Sequence, residues 1–168
     1  MHRLDREASG LMVFAKTKDA KRNLQFHWSK AEKRYFAVVE GSAPRDSGVL
    51  RSHLDESNPL KVYSSRRTPT TRLAVTHYRV VKRNATHALI ELTTETGRRN
   101  QIRVQLADAG CPIVGDLKYG AQTNPAKRLG LHAGSLKFNH PLTGEILAFE
   151  SPLPRDLARV VRGAAPPG

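Results

Sequence analysis

Residues 72–110 read RLAVTHYRVVKRNATHALIELTTETGRRNQIRVQLADAG. RLAVTHYRVVKR and THALIELTT read as two long strands joined at Asn84. GRRNQIRVQLADAG then predicts a helix over 98–109, opening after Gly97 and closed by Gly110, with Pro112 beyond it. Two strands followed by one helix is not the strand-by-strand alternation of a doubly wound parallel sheet.

The flanking chain repeats the message. GLMVFAK, residues 10–16, reads as a strand with apolar side chains on both faces and therefore buried. TKDAKRNLQFHW predicts a helix capped by Thr17, with Ala20, Leu24 and Trp28 on one face. KRYFAVVEG is a strand stopped by Gly41, and residues 42–70, rich in Ser, Pro, Asn and Arg, read as a loop-dominated excursion with short strands. LGLHAGSLKF and EILAFESP are strands around the turn HPLTG, RDLARVV is a short helix, and GAAPPG is a frayed end. Strands outnumber helices without regular alternation. The expected fold is α+β, with a mixed, mostly antiparallel sheet. One domain over residues 1–160 and a flexible tail over 161–168 are expected.

Composition narrows the partners. The 168 residues include 28 Lys and Arg against 15 Asp and Glu, a net charge of +13. That excess favours a polyanion, nucleic acid first. A single cysteine, Cys111, excludes an internal disulfide and a cysteine-rich zinc site. The seven histidines form no HxH or HxxxH pair, so no metal site is expected. No phosphate-binding loop and no Gly-x-Ser-x-Gly elbow occurs. GLMVFA is too short for a signal peptide or a membrane span, which leaves a cytoplasmic, soluble protein with no membrane partner as the expectation.

Two arginine-rich stretches remain as candidates for chemistry. In HRLDREASG, Asp5 stands between Arg3 and Arg6. Nearby cations keep a carboxylate ionised, and such a group is either a nucleophile, a base or one half of a structural ion pair. The second stretch is TGRRNQIRVQLADAGCPIVGD, residues 96–116.

These stretches resemble the signatures of the RluA-type pseudouridine synthases. HRLDREASGLMVFAK is similar to their HRLD motif, TGRRNQIRVQLADAGCPIVGD to their TGRTHQIRVHLA motif, KRYFAVVEG to their K-x-Y-x-A-x-V-x-G strand, and LGLHAGSLKFNHPLTGE to their closing segment. The four run in the family's order from residue 2 to about residue 154. The resemblance implies the catalytic domain of an enzyme that isomerises uridine to pseudouridine in structured ribosomal or transfer RNA, without cofactor or metal, as a monomer. The base is detached from its ribose, turned and rejoined through carbon 5, after flipping out of its stack.

The resemblance also implies roles. Asp5 stands at the catalytic aspartate, attacking the ribose or taking a proton from it. Tyr35 stands at the tyrosine that stacks on the flipped uracil, its hydroxyl a candidate for removing the carbon-5 proton. Arg103 matches the arginine paired with the aspartate, and Arg3 the one that fills the space the base vacates. Arg98 is carried over as an RNA contact and Ile113 as an apolar wall of the base pocket. Three positions depart from the pattern: Asn100 and Gln105 stand where the family has His, and Ala8 where it has Thr. Because the family's domain begins before the HRLD motif, the chain is expected to be a fragment lacking its first strands. The alternative reading is an inactive RNA-binding fragment of such an enzyme.

Overall fold

In the computed structural model, which describes residues 4–41 and 43–162, strands β1 (Ser9–Gly10), β2 (Glu32–Glu40), β3 (Ser47–Asp55), β4 (Tyr63–Ser65), β5 (Arg72–Arg83), β6 (His87–Thr94), β7 (Leu131–Asn139) and β8 (Ile146–Glu150) form one sheet. Its order is β1-β7-β2-β6-β5-β3-β4, with β8 also paired to β7. Only the β1–β7 pairing is parallel among the described residues. Helices α1 (Lys18–His27), α2 (Gln101–Asp108) and α3 (Arg155–Val160) complete the architecture, which is the mixed α+β fold that the strand-rich sequence implied.

Strand alternation decides which helix covers which face. Ala88, Ile90 and Leu92 of β6, with Ala37 and Val39 of β2, pack against Ile102 and Leu106, one turn apart on α2. The intervening Val38 and Leu89 face the other way, against Leu157 and Val161 around α3. Central strands covered on both faces explain why AVV in β2 is fully buried. Val161 was expected in a flexible tail, yet it is 2% exposed and belongs to this second cluster. Residues 163–168 lie outside the described residues.

The other boundaries show where local reading and packing part. Asn84 Oδ1 accepts from the backbone N–H groups of Thr86 and His87, closing the β5–β6 turn as expected. Thr17 accepts from Ala20 N at 3.1 Å and caps α1, whose Ala20 and Leu24 are buried. GLMVFAK is not a buried strand. Only Ser9 and Gly10 pair with β7, and Met12 and Phe14 are exposed. Continued pairing would run onto Ser135, but β8 holds that edge from Ser135 to Asn139. The excursion at 42–70 likewise contains a nine-residue strand, β3, paired with β5 along most of its length. Its alternately exposed side chains gave it a polar composition, which reads as loop.

Candidate active site

The Asp5 loop is fixed by β1. Ala8 N donates to Asp5 O at 3.0 Å, closing a turn, and Ser9 then enters the sheet beside His132. Gly10 must be glycine here: its φ is +112°, and a Cβ would sit 2.3 Å from Ala133 O. The Ser9 hydroxyl lies 2.8 Å from His132 Nδ1. His132 Nε2 faces the Ser151 carbonyl at 3.2 Å, so it carries the proton and Nδ1 accepts from Ser9. Arg128 donates to the same hydroxyl. Burial lowers the His132 pKa; the Ser151 hydrogen bond opposes that, and the charge of Arg128 adds to it.

Helix α2 brings Arg103 to the same place. It starts at Gln101, three residues later than the sequence suggested, because Asn100 is left-handed at φ +53°. The arginines before it are used otherwise. Arg99 donates to the carbonyls of Glu56, Asn58 and Pro59, pinning the β3–β4 loop, and Arg98 Nε donates to Leu73 O at 3.1 Å. Arg103 Nε and Nη2 each donate to Asp116 at 2.7 Å, a bidentate pair whose side chains are 9% and 1% exposed. Its remaining nitrogen, Nη1, stands 3.8 Å from Asp5 Oδ2. The Tyr119 ring lies under the guanidinium, 5.1 Å from its carbon. Burial opposes the charge of Arg103, but the Asp116 hydrogen bonds and the acids around it outweigh that and raise its pKa.

Asp5, Ala8, Tyr35, Ile102 and Leu131 line a cavity of about 510 Å³, with Lys33, Arg98 and Glu95 among the others at its walls. That size suits a small planar ligand. Tyr35 comes from β2, and its phenol is pushed up to about 12 by burial and then by the Asp5 charge, so it stays protonated at neutral pH. Of the expected site residues, Asp5, Tyr35 and Arg98 line the cavity, and Arg103 reaches it through Asp5. Ile113 does not. It is fully buried in the core and bridged to Val39, and Ala8, Ile102 and Leu131 supply the apolar wall instead. Arg3 lies outside the described residues. The walls carry both signs of charge, with Lys33, Arg98 and Arg99 and with Asp5, Glu56 and Glu95 among the lining residues.

Sequence reading missed Asp116 and Tyr119. Asp116 ends the quoted GCPIVGD run, and an arginine on the preceding helix was a signal that a buried carboxylate was needed. Two of the three departures make hydrogen bonds within the fold. Asn100 donates to the Tyr119 hydroxyl at 2.9 Å, and buried Gln105 accepts from Thr76 at 2.6 Å.

A sequence model described as RNA pseudouridylate synthase matches residues 1–108. The Bacillus subtilis protein named uncharacterized RNA pseudouridine synthase YhcT is 38% identical over 168 residues, covering 96% of this chain and 55% of its own. The ribosomal large subunit pseudouridine synthase D of Neisseria meningitidis serogroup B is 39% identical over 173 residues, covering 94% of this chain and 46% of its own. The chain thus spans about half the length of the curated relatives it matches. The solved human RNA pseudouridylate synthase domain containing 4 superimposes with a TM-score of 0.79 at 29% identity, over 96% of this chain and 74% of that one. With a matched region that includes the Asp5 loop, Tyr35 and the whole of α2, the chain belongs to the RNA pseudouridylate synthase family.

Proposed function

We propose that this protein converts uridine to pseudouridine in RNA, with Asp5, Tyr35 and Arg103 as its catalytic residues. The observation that carries the reading is the meeting of Asp5 and Tyr35 in one cavity, with Arg103 3.8 Å from the Asp5 carboxylate. In the reaction the N1–C1′ bond breaks, a C5–C1′ bond forms, C5 loses a proton and N1 gains one. Asp5 serves the ribose as nucleophile or base. Asp116 takes two hydrogen bonds from Arg103, so the cation faces Asp5 from beyond hydrogen-bond distance, as a neighbouring charge. Tyr35 offers a ring to replace the stacking the flipped uracil loses. Arg98, which also lines the cavity, is proposed as a contact to the RNA backbone through the guanidinium nitrogens that Leu73 O does not take.

Ribosomal RNA is the proposed substrate, because several relatives are named as ribosomal large subunit enzymes. No helix among the described residues is long and apolar enough to cross a membrane. A cytoplasmic monomer is part of the same proposal. The test is pseudouridine content after incubating the full chain with large-subunit RNA from cells lacking such enzymes. The wild type should convert uridine, while Asp5→Asn should bind the RNA within a few-fold and convert none. Turnover retained by Asp5→Asn would overturn the assignment.

A further inference from the structure

A second cavity, of about 500 Å³, adjoins the first and shares Ser29, Lys33, Thr94 and Glu95 with it. Its floor is the sheet where β2, β7 and β8 run side by side. The register sets Lys33 opposite Leu136 and Leu136 opposite Phe149, which makes one row across three strands. Two strand spacings, about 10 Å, separate Lys33 from Phe149.

The chemistry of this row is aromatic and cationic. Lys33 Nζ lies 5.9 Å from the centroid of the Trp28 ring. Trp28 packs on Phe138 at 6.1 Å, and Phe138 stacks on Phe149 at 6.1 Å with 27° between the rings. Phe149 closes this ladder and keeps 47% of its surface exposed.

The acids at the groove are already occupied. Glu32 is paired with Lys137 and Glu150 with Arg34, each at 2.9 Å, and Glu95 with His77 at 2.5 Å. Lys30 and Lys33 also line the groove, and neither is ion-paired among the described residues. Burial lowers the pKa of Lys33, an opposition to its charge that a neighbouring anion would relieve.

We propose that this groove seats the nucleotides flanking the uridine, with the open face of Phe149 stacking on a base and Lys33 and Lys30 meeting the intervening phosphates. The proposal rests on the reading that the Asp5 cavity receives the uridine. Single-stranded RNA is the occupant that matches aromatic faces interleaved with unpaired cations and continuity with that cavity.

The experiment is fluorescence anisotropy of the full chain with fluorescein-labelled decauridylate. Phe149→Ala should weaken binding roughly tenfold, the scale of one lost base–aromatic stack. Phe149→Trp should restore it, and Lys30→Ala should flatten its dependence on salt. Phe26→Ala, which removes an exposed ring on α1, should leave it unchanged. Wild-type affinity in Phe149→Ala, an equal loss in Phe26→Ala, or a wild type that binds no decauridylate would each overturn the groove. The assay needs no turnover. A chain that never converts uridine yet shows the Phe149 effect would sink the proposed activity and leave the groove standing. A Phe149→Ala chain that converts uridine with undiminished affinity would sink the groove alone.

Discussion

Asp116→Asn removes one charge from the centre of the site without changing the side chain's size. The wild-type carboxylate accepts two hydrogen bonds from Arg103 at 2.7 Å, and both side chains are at least nine-tenths buried. The asparagine keeps one acceptor oxygen and turns an NH₂ group toward a guanidinium that only donates. Breaking a buried ion pair from one side costs about 3–5 kcal/mol, because the surviving charge stays desolvated. That is a large part of the roughly 5–15 kcal/mol that holds a typical domain folded. At about 2–4 °C per kcal/mol for a chain of this length, the melting temperature should fall by about 6–20 °C.

Activity should fall for a second reason. Once Asp116 no longer holds Arg103, the nearest carboxylate to it is Asp5, at 3.8 Å. The guanidinium should close on Asp5, occupy its oxygens and lower kcat by about tenfold or more. Replacing both partners, Arg103→Met with Asp116→Leu, separates the two effects. An apolar pair of similar volume is often neutral for stability, so most of the lost melting temperature should return. Turnover should not return, because the Arg103 charge beside Asp5 is gone. Thermal unfolding and pseudouridine formation on the wild type, Arg103→Met, Asp116→Leu and the double variant give the coupling directly. If Asp116→Asn melts within about 2 °C of the wild type, the pair is not the buried clamp described here and the reasoning fails.

Tyr35→Phe keeps the ring and should bind RNA within a few-fold, while turnover falls by about 10² or more, the scale of a lost proton-transfer group. A phenol with a pKa of about 12 is protonated at neutral pH and must give up its own proton before its oxygen can take one from carbon 5, and unchanged turnover in the phenylalanine variant would remove the hydroxyl from the mechanism. His132 has a folded-state pKa below the usual 6.5, chiefly through burial, so its contribution to stability is full above 6.5 and is lost as pH falls through the folded value. The melting temperature should therefore drop more between about pH 7 and 5 for the wild type than for His132→Gln, and parallel curves would contradict the assignment.

The strands of the fold were legible because their signals are local. β5, β6 and the Asn84 turn follow from hydrophobic runs and a hydrogen-bonding asparagine, and packing did not have to override them. The errors fall where another strand decides. The edge of β7 has room for two residues of β1 because β8 holds the rest, and no property of GLMVFAK announces that competition. β3 failed differently: it lies between β5 and short β4, so much of its surface is exposed and its composition resembles a loop. The candidate site divides in the same way. Asp5, Tyr35 and Arg103 carried their meaning in motifs, and the structure brings them to one place. Ile113 sat in a motif too, but its depth in the core depends on the Val39 bridge, which the linear sequence does not display.

The departures at Asn100 and Gln105 bear on the site through the helix they flank. Asn100 adopts a left-handed backbone that asparagine tolerates better than most residues, and its amide donates to the Tyr119 hydroxyl beneath the Arg103 guanidinium. Gln105, two residues beyond Arg103, ties α2 to the sheet: its amide nitrogen lies within 3.2 Å of Leu50 O, Ser52 Oγ and Ala74 O, and its oxygen accepts from Thr76. Both side chains therefore hold the helix that carries Arg103, and both are uncharged. A histidine at either position would place a group that titrates near neutral pH within one turn of the Asp5–Arg103–Asp116 array. With amides there, neither side chain adds a titrating group beside Arg103 and Asp116. Among the described residues, the histidine that touches the Asp5 loop is His132, through the Ser9 hydroxyl.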